Sequence, residues 1–248
     1  MKELLTVFFL GAGMTTGALA AEVRVLSGGA VEPGLHAFAD LVKRELGHDL
    51  KIQFNTTPQI VKRLAAGDVY DIVIVTPAVI DQAAKDGKVT ADLRSPVGRV
   101  GAGIIVRSAA AAPNVGTTEA LKQALIGADS VVYNSASSGL YLDTLFAKMG
   151  VLDQIKPKTT RYPDGASVME HVIKGKGNEI GFGAMTEIKL YTSKGLKLIG
   201  PLPAEVQNYT TYDAALMTGA PAADAAKAVL RQLATPAGKA AFVSAGVE

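Results

Sequence analysis

The sequence predicts an α/β protein of two lobes with a ligand cleft between them. Short apolar segments alternate with amphipathic helical segments through most of the chain, which is typical of α/β folds. The apolar run at residues 71–75 lacks polar alternation, as expected of a strand buried on both faces of a parallel sheet. A longer extended run at residues 99–107 interrupts this repeat and indicates a crossing between the lobes.

The first lobe is predicted to contain three strand–helix units. Glycine at Gly47 and Gly67 ends the first two helices, because glycine adopts the left-handed conformation found after a helix. Pro58 and Pro77 fit the first turn of the second and third helices. We place the strands at residues 23–27, 51–54 and 71–75, each followed by its helix.

The second lobe repeats the pattern before the chain returns to the first. We predict strands at residues 131–133, 159–162 and 179–182, helices through Leu145 and Ile173, and a helix near residues 186–192. Residues 196–203 lead the chain back to the first lobe. Residues 211–217 are predicted to form a strand of that lobe, and two helices follow Pro221. These elements assign residues 21–96 and 201–248 to the first lobe and residues 97–200 to the second.

The N-terminus has the pattern of a secretory signal peptide over residues 1–20. Lys2 precedes an apolar stretch at residues 4–10, and the segment ends in the small-residue pair Ala18 and Ala20. This apolar stretch could also be a buried first strand or helix, but the Ala-x-Ala ending favours export. We therefore expect a periplasmic protein.

Composition narrows the classes of function. Charged residues make up 19% of the chain and the net charge is +2, so neither nucleic acid nor a membrane surface is an expected partner. The chain has no cysteine, which excludes disulfides and thiolate chemistry. Its three histidines lie at no metal-binding spacing. We expect a monomer with no metal and no cofactor.

Three loops share a design suited to anions. Each ends a strand in small or hydroxylic residues and opens a helix, where free N–H groups and the helix dipole favour negative charge. Ligands of open α/β sheets bind beyond the carboxyl ends of the strands. Each loop could instead be an ordinary helix cap, but three loops over two lobes favour a shared anion site. The candidate ligand-binding residues are Ser27, Gly28, Gly29, Ala30, Thr56, Thr57, Ser138 and Gly139.

Several segments resemble motifs of the periplasmic molybdate-binding proteins and of their wider family of ABC-transporter substrate-binding proteins. These segments are residues 25–30, 54–57, 65–74 and 138–141, and the resemblance covers most of the chain. It implies a type II periplasmic binding protein fold, whose lobes close on a small anion that is passed to a membrane permease. It also implies that Gly165 offers a backbone N–H to the ligand, as Ser138 does.

Two departures from that family affect the expected ligand. Molybdate-binding members have a serine hydroxyl where this chain has Ala30, and a tyrosine hydroxyl where it has Ala184. Each lost charge-assisted hydrogen bond costs about 1.5–3 kcal/mol, or roughly 10- to 100-fold in affinity. We therefore expect an organic di- or tricarboxylate rather than molybdate.

Two arginines are candidates for holding such a ligand. Arg99 and Arg161 lie at predicted strand ends or crossings near the cleft, and guanidinium groups bind carboxylates through two parallel hydrogen bonds. Arg99 could instead be a surface charge on the crossing strand. Arg161 could instead pair with Asp164.

The function that the sequence favours is a solute-binding protein that captures an organic anion for an ABC transporter. An alternative comes from the wider family, in which some exported proteins resemble aconitate isomerase, an enzyme that interconverts trans- and cis-aconitate without a cofactor. That reaction needs a general base, which the sequence does not identify. The proton carriers considered are Tyr141, Tyr162, Glu32 and His36. A molybdate or tungstate receptor is the third hypothesis.

Overall fold

A computed structural model describes residues 20–248, except for the side chains of residues 91 and 92. The predicted signal peptide lies, apart from its last residue, outside the described residues. The strands are β1 (Glu22–Gly28), β2 (Asp49–Asn55), β3 (Ile72–Val75), β4 (Val89–Arg107), β5 (Ser130–Asn134), β6 (Thr159–Tyr162), β7 (Glu179–Ala184), β8 (Leu196–Pro201) and β9 (Tyr209–Met217). The helices are α1 (Glu32–Leu46), α2 (Thr57–Ala66), α3 (Pro77–Lys85), α4 (Thr118–Gly127), α5 (Ser137–Lys148), α6 (Leu152–Ile155), α7 (Gly165–Lys174), α8 (Met185–Lys189), α9 (Ala223–Ala234) and α10 (Pro236–Ser244).

The strands form a mixed sheet in the order β2-β1-β3-β9-β4-β7-β5-β6, with β8 paired to β4. In the first half, β1 pairs in parallel with β2 and β3, and β9 runs antiparallel between β3 and β4. In the second half, β5 pairs in parallel with β6 and β7. The long strand β4 contributes to both halves, so it connects the two lobes.

Separate hydrophobic clusters fill the two halves. One cluster packs α1, α9 and α10 against β1 and β3, and includes Phe38, Leu230 and Phe242. Another packs α4 and α5 against β5 and β7, and includes Tyr133 and Phe146. Burial of this much apolar surface in each half stabilises each lobe around its own core. Among residues 20–248, no helix is long and apolar enough to cross a membrane.

The predicted two-lobed α/β fold is confirmed, while some element boundaries differ. Strand β4 begins at Val89, well before the predicted crossing at residue 99, because Val89 to Gly101 pairs with β9 across two irregularities. Helix α4, capped by the Thr117 hydroxyl, was not predicted. The predicted helix at residues 186–192 is shorter and earlier, at Met185–Lys189.

Candidate functional site

A polar cavity lies between the loops at the carboxyl ends of β1, β2, β5 and β7. It encloses about 50 Å³, which is enough for one carboxylate-sized group. The strands and helices of both lobes supply its lining. The lining residues are Gly28, Gly29, Ala30, Asn55, Thr56, Thr57, Asn134, Ala136, Ser137, Ser138, Gly165, Ala184, Glu187, Thr210 and Tyr212.

The first lobe contributes two helix beginnings. After β1, residues Gly29–Val31 form a short 3-10 turn that leads into α1, and the first N–H groups of such a turn have no partner within it. After β2, Thr56 is the N-cap of α2, and its own N–H donates to Gln59 Oε1 at 2.8 Å. Asn55 Oδ1 is buried beside the cavity and has no hydrogen-bond partner among the described residues.

The second lobe contributes the beginnings of α5 and α7. Asn134 Oδ1 accepts from the Ala136 N–H at 3.0 Å and from the Ser138 hydroxyl at 3.3 Å, which fixes the loop before α5. Gly165 begins α7, directly after Asp164, whose carboxylate accepts from the Ser167 N–H at 2.8 Å. Both helices therefore direct their N-terminal N–H groups to the same cavity, an arrangement that favours an anion.

Glu187 places a carboxyl group inside this cavity. It lies in the first turn of α8, is partly exposed, and contacts loops of both lobes. A Cβ atom on Gly29 would be 2.6 Å from Glu187 Oε1, and one on Gly165 would be 2.6 Å from Oε2. Only glycine fits at either position without displacing the carboxyl group, so the two glycines make room for Glu187.

The environment of Glu187 favours its protonated form. Burial raises the pKa of the Glu187 carboxyl to about 7, and the charges of Glu32 and Asp164 raise it further. Within the part of the chain that the structure describes, no lysine or arginine opposes this effect. A carboxyl group with a pKa near neutrality can both take up and release a proton at physiological pH.

Tyr212 supplies a second ionisable group beside the first. It lies on β9, lines the cavity, and its ring stands where a side chain on Gly28 would extend, 2.7 Å from that Cβ position. Burial, together with the charge of Glu187, raises the pKa of the Tyr212 hydroxyl above its ordinary value. The phenol is therefore neutral at physiological pH and can donate a hydrogen bond.

The structure brings most of the residues predicted from the loops into the cavity lining. These are Gly28, Gly29, Ala30, Thr56, Thr57, Ser138 and Gly165. Ser27 is fully buried behind the first loop, where its hydroxyl donates to the Gly28 carbonyl at 3.1 Å. Gly139 packs against the Asn134 carbonyl and lies outside the lining.

The two arginines that were predicted to bind ligand carboxylates lie away from the cavity lining. Arg99 pairs with Glu248 at 3.1 Å and lies 4.3 Å over the Tyr209 ring, with 54% of its side chain exposed. Glu248 is within reach of Arg99 because the last residue of the chain forms backbone hydrogen bonds with Arg99 on β4. Arg161 pairs with Asp143 rather than Asp164, and donates to the Asn134 carbonyl at 3.1 Å. Arg161 therefore stabilises the loop before α5 through this hydrogen bond and does not line the cavity.

The proton carriers considered from the sequence also lie outside the lining. Tyr141 donates to the Val206 carbonyl at 2.7 Å, and the Tyr162 hydroxyl is 3.0 Å from His171 Nδ1. Glu32 faces His36 at 3.6 Å on α1 and acts on the site only through its charge on Glu187. Sequence reasoning missed Glu187, because a glutamate in the first turn of a helix is common for reasons of helix stability.

Among the described residues, no three or more His, Cys, Asp or Glu side chains are grouped to hold a metal ion.

The family of the chain follows from a comparison with known proteins. Residues 23–248 match the model of a family described as bacterial extracellular solute-binding protein. The chain belongs to this family. A relative within the curated proteins is the aconitate isomerase of a Pseudomonas species, which is 28% identical over 229 residues, covering 90% of this chain and 86% of the relative.

Solved structures agree with the fold. The periplasmic molybdate-binding protein of Azotobacter vinelandii superposes with a TM-score of 0.75 at 15% identity, over 91% of this chain and 98% of that one. The sulfate-binding protein of Mycobacterium tuberculosis superposes with a TM-score of 0.74 at 15% identity, over 92% and 86%. At these identities the likeness establishes a two-lobed fold and leaves the ligand to be argued from the site.

Proposed function

We propose that this protein is a periplasmic aconitate isomerase, which binds an organic tricarboxylate in the interlobe cleft and moves a proton along its carbon chain. The observation that carries the proposal is the position of the Glu187 carboxyl group, which lies against Gly29 and Gly165 inside a cavity otherwise built to hold an anion, where burial raises its pKa to about 7. Capture of an anion alone does not require a group that exchanges protons at neutral pH. The aconitate isomerase relative supports the same reaction.

Binding would use the helix beginnings of both lobes. One carboxylate of the ligand fits the cavity of about 50 Å³, where N–H groups of the loops at Gly29, Thr57 and Ser138 surround it. The remaining carboxylates extend toward the opening between the lobes. Because the cavity is small, the lobes must separate for entry, which is a hinge motion expected of two-lobed proteins.

The proposed reaction is a proton shift within a three-carbon unit. The Glu187 carboxylate removes a proton from the methylene carbon next to the double bond, and the electron pair of that C–H bond delocalises over the three carbons. Glu187 then returns the proton to the far carbon. The double bond has moved by one position, Glu187 is again a carboxylate, and no oxidant or cofactor is needed. A hydrogen bond from the neutral Tyr212 hydroxyl stabilises the charge that develops.

The same cavity is poorly suited to a metal oxyanion. Ala30 and Ala184 both line it and supply no hydroxyl donor. Glu187 adds a negative charge above pH 7, which repels a tetrahedral dianion. The same charge also repels an organic carboxylate, but only the organic acid brings a carbon-bound proton for Glu187 to remove.

A receptor that delivers an organic anion to an ABC permease is the second candidate. Membership of the bacterial extracellular solute-binding family favours it, since capture needs only the donor loops and a hinge. In that case Glu187 would determine which anions enter, by admitting ligands that carry a proton.

A spectroscopic assay separates the two candidates. Purified protein is mixed with trans-aconitate, and the ultraviolet absorbance is followed as the double bond moves; the same sample is tested for a ligand-dependent rise in melting temperature. The isomerase predicts an absorbance change that continues at catalytic amounts of protein. A thermal shift with trans-aconitate and constant absorbance would support the receptor instead. A larger thermal shift with molybdate than with trans-aconitate would contradict both candidates, since each binds an organic anion.

A further inference from the structure

Helix α8, which carries Glu187, lies at the junction of the two lobes. Ala184, the residue before it, belongs to the core cluster of the first lobe. Ile188, near its end, is fully buried in a cluster of the second lobe with Val168 and Met169. This helix of five residues therefore contacts both cores, and its position depends on how the lobes meet.

A buried hydrogen bond joins α8 to the loop after β1. The Thr186 hydroxyl donates to the Ala30 carbonyl at 2.5 Å, between residues 156 positions apart in the chain. Thr186 is fully buried and Ala30 is 7% exposed, so water cannot readily replace either partner. Ala30 follows Gly29, the glycine that contacts Glu187 Oε1. The bond therefore fixes the carboxyl-bearing helix against the loop that the carboxyl group touches.

We propose that Thr186 is a positioning residue, whose hydrogen bond to Ala30 holds the Glu187 carboxyl group between Gly29 and Gly165. Glu187 has no cationic partner in the described residues to hold it there, so its position must come from its backbone. The catalytic meaning of this placement rests on the proposed function, whereas the placement itself does not depend on the reaction.

The titration of Glu187 reports its position. The ionisable groups around it are Glu32 of α1, Asp164 before α7, Tyr191 after α8 and Tyr212 of β9. Burial is the largest cause of its raised pKa. If α8 moved away from Ala30, the carboxyl group would be less buried and its pKa would fall toward 4.5.

The test compares Thr186→Val, which removes the hydroxyl at nearly constant volume, with Thr186→Ser, which keeps it. Thr144→Val is the matched control, because the Thr144 hydroxyl bonds to the Leu140 carbonyl at 3.3 Å on the exposed side of α5. Protein labelled with ¹³C at the glutamate side-chain carboxyl is titrated by NMR without substrate. We expect Glu187 to titrate near pH 7 in the wild type, T186S and T144V, and about one pH unit or more lower in T186V.

The outcomes separate this inference from the proposed function. An unchanged Glu187 midpoint in T186V would overturn the positioning role, even if the melting temperature fell. If T186V does not fold, Thr186→Ala is titrated under the same criterion, since it removes the hydroxyl without putting a methyl group in its place. If wild-type protein turns over trans-aconitate, T186V should lower kcat about 10- to 100-fold and shift the acidic limb of the pH profile. Absence of turnover in the wild type would end the isomerase proposal and leave the NMR result decisive for Thr186.

Discussion

The two sides of the cavity differ in chemistry and in how visible they are in the sequence. On one side are the donor loops, at residues 28–30, 55–57, 134–138 and Gly165, which present N–H and hydroxyl groups. On the other is the acidic side, which consists of Glu187 and Tyr212. The pKa values of both side chains are raised above their ordinary values. The donor loops are what any anion receptor needs. The acidic side adds the capacity to move a proton.

Glu187→Gln should have the largest effect, because it removes the proton acceptor and keeps the shape of the side chain. We expect kcat for trans-aconitate to fall by about 10²- to 10⁴-fold, the range typical of a lost general base. Affinity should stay the same or improve, since a negative charge has left an anion site. Steady-state kinetics and calorimetry measure the two quantities.

Glu170→Gln is the control for this substitution. Glu170 pairs with Lys174 on the exposed side of α7, so its loss should leave kcat unchanged. Equal activity of E187Q and the wild type would remove Glu187 from the reaction and reduce the acidic side to a structural feature.

The pH dependence of stability should reveal the acidic side without any substrate. Because folding raises the pKa of Glu187 from 4.5 to about 7, the folded state holds its proton more tightly, and the free energy of unfolding falls as pH rises between these values. A shift of this size corresponds to about 3 kcal/mol. Urea unfolding at pH 5 and pH 8 should show this loss in the wild type relative to E187Q. A constant difference between the two proteins across that range is incompatible with a raised pKa.

Ala30→Ser tests whether an added hydroxyl donor in the donor loops increases the affinity for molybdate. A new hydroxyl at the cavity should strengthen molybdate binding about tenfold, the value of one charge-assisted hydrogen bond. The molybdate affinity of both proteins should be higher at pH 6 than at pH 8, since Glu187 is mostly neutral at the lower pH. Calorimetry with molybdate at both pH values provides the measurement, and a pH-independent affinity would show that Glu187 does not act on the bound anion.

Arg99→Ala should have the smallest effect. Its ion pair with Glu248 is half exposed, and such pairs contribute about 0–1 kcal/mol. Because Arg99 lies outside the cavity lining, we expect the affinity for trans-aconitate to change less than about threefold. A loss of a hundredfold by calorimetry would instead make Arg99 a carboxylate partner, as its residue type suggested.

The fold and the donor loops could be predicted because their signals are local. A strand that ends in Gly28 and Gly29, or a helix opened by Thr56 and Pro58, is readable from neighbouring residues. The predicted lobe boundaries stay a prediction. Helix α4 was overlooked because residues 108–117 separate it from β4, whereas the strands of the predicted units lead almost directly into their helices.

The acidic side could not be predicted because its chemistry depends on distant residues. The pKa of Glu187 depends on burial by loops at Gly29 and Gly165, which are 136 residues apart in the chain (165 less 29). Arg161 shows the converse: its residue type suggested a ligand contact, but the parallel pairing of β5 with β6 places it beside Asp143 and the Asn134 carbonyl. Spatial neighbours, rather than residue type, decide both cases.

The central claim is that Glu187 exchanges a proton with a carbon atom of the bound acid. Its most direct test is ¹H NMR of trans-aconitate in D₂O with a catalytic amount of wild-type protein and, in parallel, of E187Q. The account predicts that the wild type forms cis-aconitate, with deuterium entering the carbon-bound positions to the extent that the Glu187 proton exchanges with solvent, and that E187Q does neither. Wild-type protein that binds the acid but neither forms cis-aconitate nor introduces deuterium would contradict it.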